Sequence, residues 1–222
     1  LLKDWKSILK NEELWAYLGI VGVSIAIITG NILKIYGTVA HAFRYASFQV
    51  GSIITTTGFA TADYDQWPEL SKSILLALMF VGACAGSTGG GIKVSRIVIL
   101  LKTLSKEISS YIHPRSIKKI KMEGKTVAHD VVRSTNVYFI TYFIIFSFSV
   151  LLLSFEGKDA VTNFTAVAAT INNIGPGLEL VGPTCNFGIF NIFSKYILMF
   201  DMLAGRLELF PLLILAHPSI IK

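Results

Sequence analysis

Long apolar runs interrupted by short polar stretches set the pattern of this chain. Four of them approach the roughly 20 residues that a helix needs to cross a bilayer. They are Leu14–Tyr36, Ser73–Leu101, Ser134–Phe155 and Ile189–Ala216. Two shorter apolar segments lie between them, His41–Ile54 after the first run and Asp159–Ile171 after the third. These are too short to span and have the length of re-entrant helices. Each leads into a polar stretch containing glycine. Backbone that leaves the helix at membrane depth must be buried in protein or line water, because lipid cannot satisfy its amides. The pattern therefore predicts an all-α membrane protein of two tandem helix–pore helix–filter–helix units. The units cover residues 14–101 and 132–217, and a linker over 102–131 joins them.

A shift of 117 residues lays one unit on the other: Trp15–Leu33 falls on Val132–Val150, Gly58 on Gly175, Phe59 on Pro176 and Ser71 on Gly188. Internal repetition in a membrane protein points to a transporter or channel built from copies of one unit.

Composition supports the membrane class. The 222 residues are 53% hydrophobic and only 15% charged, less charge than a soluble domain of this size carries. Half of the 20 Lys and Arg lie between Lys93 and Arg133, among them Arg115, Lys118, Lys119, Lys121 and Lys125. By the positive-inside rule the linker and the C-terminus are cytoplasmic. Asp63, Asp65 and Glu69 in "TADYDQWPEL" suit the opposite side. A basic run can also bind nucleic acid or anionic lipid, but topology accounts for this one, and no nucleic acid partner is expected. Cys84, Cys185 and four scattered histidines form no ligand spacing, so no metal site or cofactor is expected. The opening "LLKDWK", without an initiator Met, reads as part of a longer product.

The candidate chemistry sits after the short helices. "TTTGF" (Thr55, Thr56, Thr57, Gly58, Phe59) and "NNIGPG" (Asn172, Asn173, Ile174, Gly175, Pro176, Gly177) fall in one register. A cation filter replaces water with backbone carbonyls, and glycine permits the angles that turn them inward. Pro176 would stiffen the second stretch. The C-terminal ends of the short helices would favour a cation in the cavity. Either stretch alone could be an ordinary Thr/Asn/Gly turn; their recurrence favours filters.

"GSTGGGIK" (Gly86, Ser87, Thr88, Gly89, Gly90, Gly91, Ile92, Lys93) invites a phosphate-loop reading. That motif needs Gly-Lys-Ser/Thr after a strand. Here Ile92 intervenes, valine follows Lys93, and the flanks are helix-length apolar runs. Glycine packing of two helices needs fewer glycines than this. Each costs roughly 1 kcal/mol in a helix, so together they should break it. At ~1.5 Å per residue from Ser71 the break lies about 20 Å down, below the filter, where a loop could occlude a pore. The shift of 117 residues places Thr88 on Gly205 and Gly89 on Arg206. "DMLAGRLELF" puts Asp201, Arg206 and Glu208 in an apolar helix, and such charges mark ion pathways. Arg206 then acts as a barrier below the filter; the alternative is a structural pair with Asp201. Lys195 would snorkel outward, and Pro211 would kink the inner end.

"TTTGFAT", "GACAGSTGGGIK", "NNIGPG" and "GRLE", in this order, resemble the Trk/Ktr/HKT superfamily of potassium transporters, nearest its TrkH-like bacterial branch. The resemblance covers almost the whole chain. It implies the third and fourth of four units around one pore, the first two being absent from this chain. By it, Gly58 and Gly175 are two of four filter glycines, with carbonyls from Thr55–Thr57 and Asn172–Ile174. Gly86–Gly91 form an intramembrane gating loop, and Arg206 projects into the pore. The resemblance further implies potassium as the transported ion, a homodimer of complete pores in the inner membrane and a cytosolic nucleotide-binding regulatory subunit. In the family a serine at the first unit's filter glycine goes with sodium preference. The competing readings are a sodium-permeable or non-conducting membrane subunit and, from another class, a nucleotide-binding membrane enzyme using "GSTGGGIK". No paired acids or nucleophile–base arrangement favours an enzyme.

Overall fold

The computed structural model describes residues 11–113 and 119–206. Seven helices carry the fold of this part. Helix α1 (Glu12–Tyr36) starts at Asn11, whose side chain accepts the Leu14 amide. Glu12 and Glu13 in its first turn complement the positive end of the helix. It stops at Gly37, left-handed at φ 73°, whose N–H returns to the Leu33 carbonyl, the usual glycine termination. Helix α2 (Val39–Ile54) is capped by Thr38. Helix α3 (Glu69–Phe80) and helix α4 (Val94–Ile112) follow. A small antiparallel hairpin, β1 (Lys121–Met122) and β2 (Lys125–Thr126), turns through Glu123 and Gly124. Both turn residues have positive φ, at 53° and 77°, the geometry that matches strand twist in a tight hairpin. Helix α5 (His129–Ser154), helix α6 (Ala160–Ile171) and helix α7 (Ile192–Arg206) complete it.

Helices α1 and α5 are long and apolar enough to cross a membrane. Val23, Ile27 and Ile35 of α1 and Ile140, Ile144, Phe148 and Leu151 of α5 point outward, as a lipid-facing surface requires. The short helices are the inner layer: α6 is buried from Thr165 to Ile171, and α2 buries Ala42, Ala46, Val50, Ile53 and Ile54. An aromatic cluster joins the two halves, Phe80 of α3 lying 5.4 Å from Phe146 of α5 and Phe146 4.9 Å from Phe164 of α6. Outside the helices, the Tyr64 hydroxyl donates to the Gly177 carbonyl at 3.0 Å, and Asp65 accepts the Glu179 amide at 3.1 Å.

Three boundaries differ from those the sequence suggests. The run Ser73–Leu101 is not one helix: α3 ends at Phe80, before the first glycine of "GSTGGGIK", and helix resumes at Val94. The break begins early because backbone bonds outside the helical pattern are available: the Gly82 amide to the Ile92 carbonyl at 2.8 Å and the Ile92 amide to the Phe80 carbonyl at 3.3 Å. Residues 82–91 are thus a closed loop on a pinned stem. Second, α4 continues to Ile112, well into the stretch 102–131, because its sequence stays helical and amphipathic where charge begins. Third, the fourth apolar run enters helix at Ile192, after a turn at Phe187–Ile189. Its end, with Glu208 and Pro211, lies outside the described residues, as do Arg115 and Lys118.

Candidate filter turns and glycine loop

The 117-residue repeat is reproduced in the backbone. Helix α2 ends at Thr55 (φ −86°, ψ 0°) and α6 at Asn172 (φ −93°, ψ 0°). The next residues, Thr56 and Asn173, are left-handed at φ 56° and 54°, and Gly58 and Gly175 follow at 80° and 115°. The hydrogen bonds match as well. Thr56 N–H returns to Ile53 and Thr57 N–H to Ser52; Asn173 N–H returns to Thr170 and Ile174 N–H to Ala169. This is a Schellman termination with a non-glycine residue in the left-handed position. For a β-branched threonine that conformation is strained, a cost of about 1–3 kcal/mol that the surrounding structure must hold in place.

While the amides of Thr55–Gly58 and Asn172–Ile174 return to the helix ends, the carbonyls of Thr55–Gly58 and Asn172–Gly175 accept no backbone hydrogen bond from the described residues. The two turns also touch. A Cβ on Gly58 would overlap the Ile174 carbonyl oxygen and come within 3.4 Å of Pro176. A Cβ on Gly175 would meet nothing within 4 Å. Beside Gly175, a cavity of about 580 Å³ is lined by Thr170, Asn173, Ile174, Met199 and Met202.

The glycine loop packs against both turns. A Cβ at Gly89 would sit 3.3 Å from the Thr56 hydroxyl, and one at Gly90 would overlap the Asn172 carbonyl; only glycine allows this approach. The Gly90 amide donates to the Thr56 hydroxyl at 3.0 Å. Three successive loop carbonyls face cations. Lys93 Nζ donates to Gly89 O at 2.6 Å and Ser87 O at 3.0 Å, and Arg206 Nη1 donates to Thr88 O at 2.6 Å. A phosphate loop presents amides to an anion. This loop presents carbonyls to cations, which is the opposite polarity. The candidates Gly86, Ser87, Thr88, Gly89, Gly90, Gly91 and Arg206 therefore lie in one assembly with Thr56, Asn172 and Asn173.

Arg206 does not pair with Asp201. That carboxylate is fully buried and accepts the Ser149 hydroxyl of α5 at 2.7 Å, on another side of α7. Lys195 is exposed and reaches the Gly188 carbonyl at 3.4 Å. Two supporting residues, and one further contact of a predicted one, escape a reading of the sequence. Tyr142 of α5 donates to the Asn172 side chain at 2.9 Å; Glu13 of α1 holds the loop at Ala85; and the side chain of Asn173, expected only for its carbonyl, donates to the Met202 carbonyl at 3.0 Å. Their partners are 29 to 72 residues distant, so no local pattern signals them. Among the described residues no group of three or more His, Cys, Asp and Glu could hold a metal ion.

Comparison with known proteins bears on the same region. The sequence model of the family described as "TrkH: Cation transport protein" matches residues 17–220. The chain is 42% identical over 184 residues to the Trk system potassium uptake protein TrkH of Vibrio parahaemolyticus, covering 83% of this chain and 38% of that protein. It is 36% identical over 213 residues to the protein of the same name in Salmonella typhimurium, covering 95% of this chain and 44% of that one. The crystal structure of the potassium transporter TrkH from Vibrio parahaemolyticus superposes with a TM-score of 0.88 at 39% identity, over 96% of this chain and 46% of that chain. The chain thus spans less than half the length of these relatives.

Proposed function

The chain belongs to the TrkH family of cation transport proteins, with an all-α membrane fold, and from that footing we propose that it forms half of a potassium-conducting pore. One observation carries this: two helix-ending turns with matching dihedrals and hydrogen bonds, placed in contact, with carbonyls free of backbone partners. Thr55, Thr56, Thr57 and Gly58 with Asn172, Asn173, Ile174 and Gly175 supply two sides of a carbonyl-lined filter. Gly58 is closed against its neighbour and Gly175 is open, so the ring continues past Gly175. Two further units complete it, which makes residues 14–101 and 132–217 the third and fourth units and the cavity beside Gly175 a place for the first. The glycine loop, held by Lys93 and Arg206 below the filter, is the gate.

In the whole protein we place this pore in the inner membrane, as a homodimer of complete pores, with the basic stretch 102–131 and the C-terminus cytoplasmic. A cytosolic nucleotide-binding subunit docks on that stretch. Lys119 precedes its hairpin and Lys121 begins it, and neutralising them together with Lys118 should weaken the subunit in a pull-down at physiological salt; unchanged affinity would remove this surface. The pore reading is tested by rubidium and sodium uptake into proteoliposomes, comparing the intact protein that carries this chain with its Gly175→Ser variant. Rubidium uptake exceeding sodium uptake, with the preference lost in the variant, is expected. Absence of cation flux from well-folded protein, with its regulator added, would return the non-conducting reading to first place.

A further inference from the structure

The loop is also held from a point that neither the filter nor Arg206 touches. Glu13, in the first turn of α1, is only 8% exposed. Its Oε1 accepts two amides: Ala85 of the loop at 2.6 Å and Ser95, in the first turn of α4, at 3.0 Å. Helix α4 has no side-chain cap from its own N-cap residue, Lys93. Glu13 therefore supplies, from a remote part of the chain, the acceptor and negative charge that a helix N-terminus favours. Capping alone would require only Ser95. The shorter of the two bonds goes instead to Ala85, which lies outside α4, so one carboxylate oxygen ties the loop to the helix that follows it.

The residue before it faces elsewhere. Glu12 pairs with Lys102 of α4 and accepts the Glu123 amide of the hairpin at 3.2 Å, while Lys102 also donates to the Lys121 carbonyl at 2.7 Å. Two consecutive acids in one helical turn thus hold the glycine loop and the cytoplasmic hairpin.

We propose that Glu13 is the positioning residue that tethers the glycine loop in its filter-contacting place, and that the first turn of α1 passes a displacement of the hairpin to the loop. The tether is a structural claim; its effect on conduction rests on the reading of the loop as the gate. Glu13 touches no ion path itself and acts through Ala85.

Cys84, half-buried and next to Ala85, reports on the loop directly. In the intact protein with Cys84 as its sole cysteine, the rate of maleimide modification is measured in inside-out vesicles, with rubidium efflux followed in parallel. Maleimide reacts with the thiolate, and removing the charge beside Cys84 would alter its reactivity apart from any motion, so the charge-conserving Glu13→Asp decides. Shorter by a methylene, it cannot hold both amides, and Cys84 modification should rise about tenfold, the factor corresponding to 1.4 kcal/mol. Glu13→Gln keeps an acceptor of full reach, and its rate, corrected for thiolate fraction by its own pH–rate profile between pH 6.5 and 8, should rise less than that of Glu13→Asp, about threefold or below. Modification of Glu13→Asp unchanged from the native rate overturns the tether. A rise in modification with a parallel rise in efflux supports both tether and gate. A rise without any change in efflux supports the tether and overturns the gate. If Glu13→Asp fails to assemble by size-exclusion profile, Glu13→Ala, which removes the acceptor outright, takes its place with the same thiolate correction: about a tenfold rise is expected, and the native rate overturns the tether.

Discussion

Replacing Arg206 by alanine removes the bond from its guanidinium to the Thr88 carbonyl. At 2.6 Å this is a charge-assisted hydrogen bond, a class that contributes about 1.5–3 kcal/mol net when shielded. The contact lies on the exposed side of α7, which argues for the lower end, about 1–1.5 kcal/mol after solvent screening. That corresponds to roughly a five- to tenfold shift between loop-closed and loop-open populations. The loop is not released outright, because Lys93 still holds the Ser87 and Gly89 carbonyls. Basal rubidium uptake into proteoliposomes should rise by that factor, with the preference over sodium kept, since the filter turns are untouched. Arg206→Lys separates two effects. It keeps the charge in the pathway but loses the rigid guanidinium fork, so its uptake should fall between native and alanine if the bond matters. Adding Lys93→Ala to Arg206→Ala should multiply the two fold-changes if each bond contributes separately to one loop. Basal uptake within about twofold of native in Arg206→Ala, half a kcal/mol or less, would refute the loop lock, as would a rise with rubidium preference lost.

Gly58→Ala must fit a Cβ against the backbone of Ile174 at φ 80°, whereas Gly175→Ala has open space and carries only the cost of its φ of 115°, about 1–3 kcal/mol for an L-residue in a sparsely populated region. Thermal unfolding in detergent should show the larger loss for Gly58→Ala; equal losses would mean the two turns are not in contact. Tyr142→Phe leaves the Asn172 side chain, fully buried, without its donor, costing about 1–3 kcal/mol; a lowered melting temperature and a reduced rubidium-to-sodium ratio are expected, and an unchanged ratio would limit Tyr142 to packing. Asp159 caps α6, and the hydroxyl and amide of Thr162 hold its carboxyl below the ordinary range. Asp159→Ala should cost about 0.5–2 kcal/mol. Because the folded-state pKa is lowered, that contribution is complete above the ordinary value near 4 and is lost as pH falls through the lowered value, so native and variant melting temperatures should converge in acid. If the proposed cytosolic subunit docks on the basic stretch, Glu12→Ala should weaken its effect on flux while its binding in a pull-down persists; lost binding would instead make Glu12 part of the docking surface.

Helices α1 and α5 could be read from the chain because membrane depth imposes a length on a spanning helix, whereas the run Ser73–Leu101 proved to be two helices. The short segments His41–Ile54 and Asp159–Ile171 fall within a residue or two of α2 and α6. The register of Gly58 and Gly175 was legible because a positive φ leaves few choices of residue. Thr56 and Asn173 share the same conformation without any such signal; their strain is imposed by the helix ends and the packing around them. Where α3 ends was hidden for a related reason: Phe80 and Val81 are as apolar as a helix requires, and only the bonds from Gly82 and Ile92 stop it. Glu12 and Glu13 looked like helix-start acids, which they are, while their distant partners depend on how α1 packs against α4.

On the proposed reading of the loop as a gate and the turns as a filter, repetition also explains how such a gate arises in a nearly symmetric frame. In the second unit, the matching stretch is helical through Arg206, and α7 brings Gly205 against the Ile171 carbonyl. In the first unit the equivalent positions, Thr88 and Gly89, have left the helix for the loop. The two copies then meet, Arg206 donating to Thr88, the chain neighbour of its own equivalent Gly89. A single departure from the repeat thus creates a loop under the filter, and the undeparted copy supplies the charge that holds it. The carbonyls the loop exposes by unwinding are the groups Arg206 and Lys93 need, so the loop and its lock come from one event. Restoring helix in the loop should therefore remove the lock as well as the obstruction. Substituting Gly86, Gly89, Gly90 and Gly91 together by alanine should give a protein with raised basal flux in which Arg206→Ala changes nothing further. A further rise on adding Arg206→Ala would show that Arg206 restrains ions without the loop.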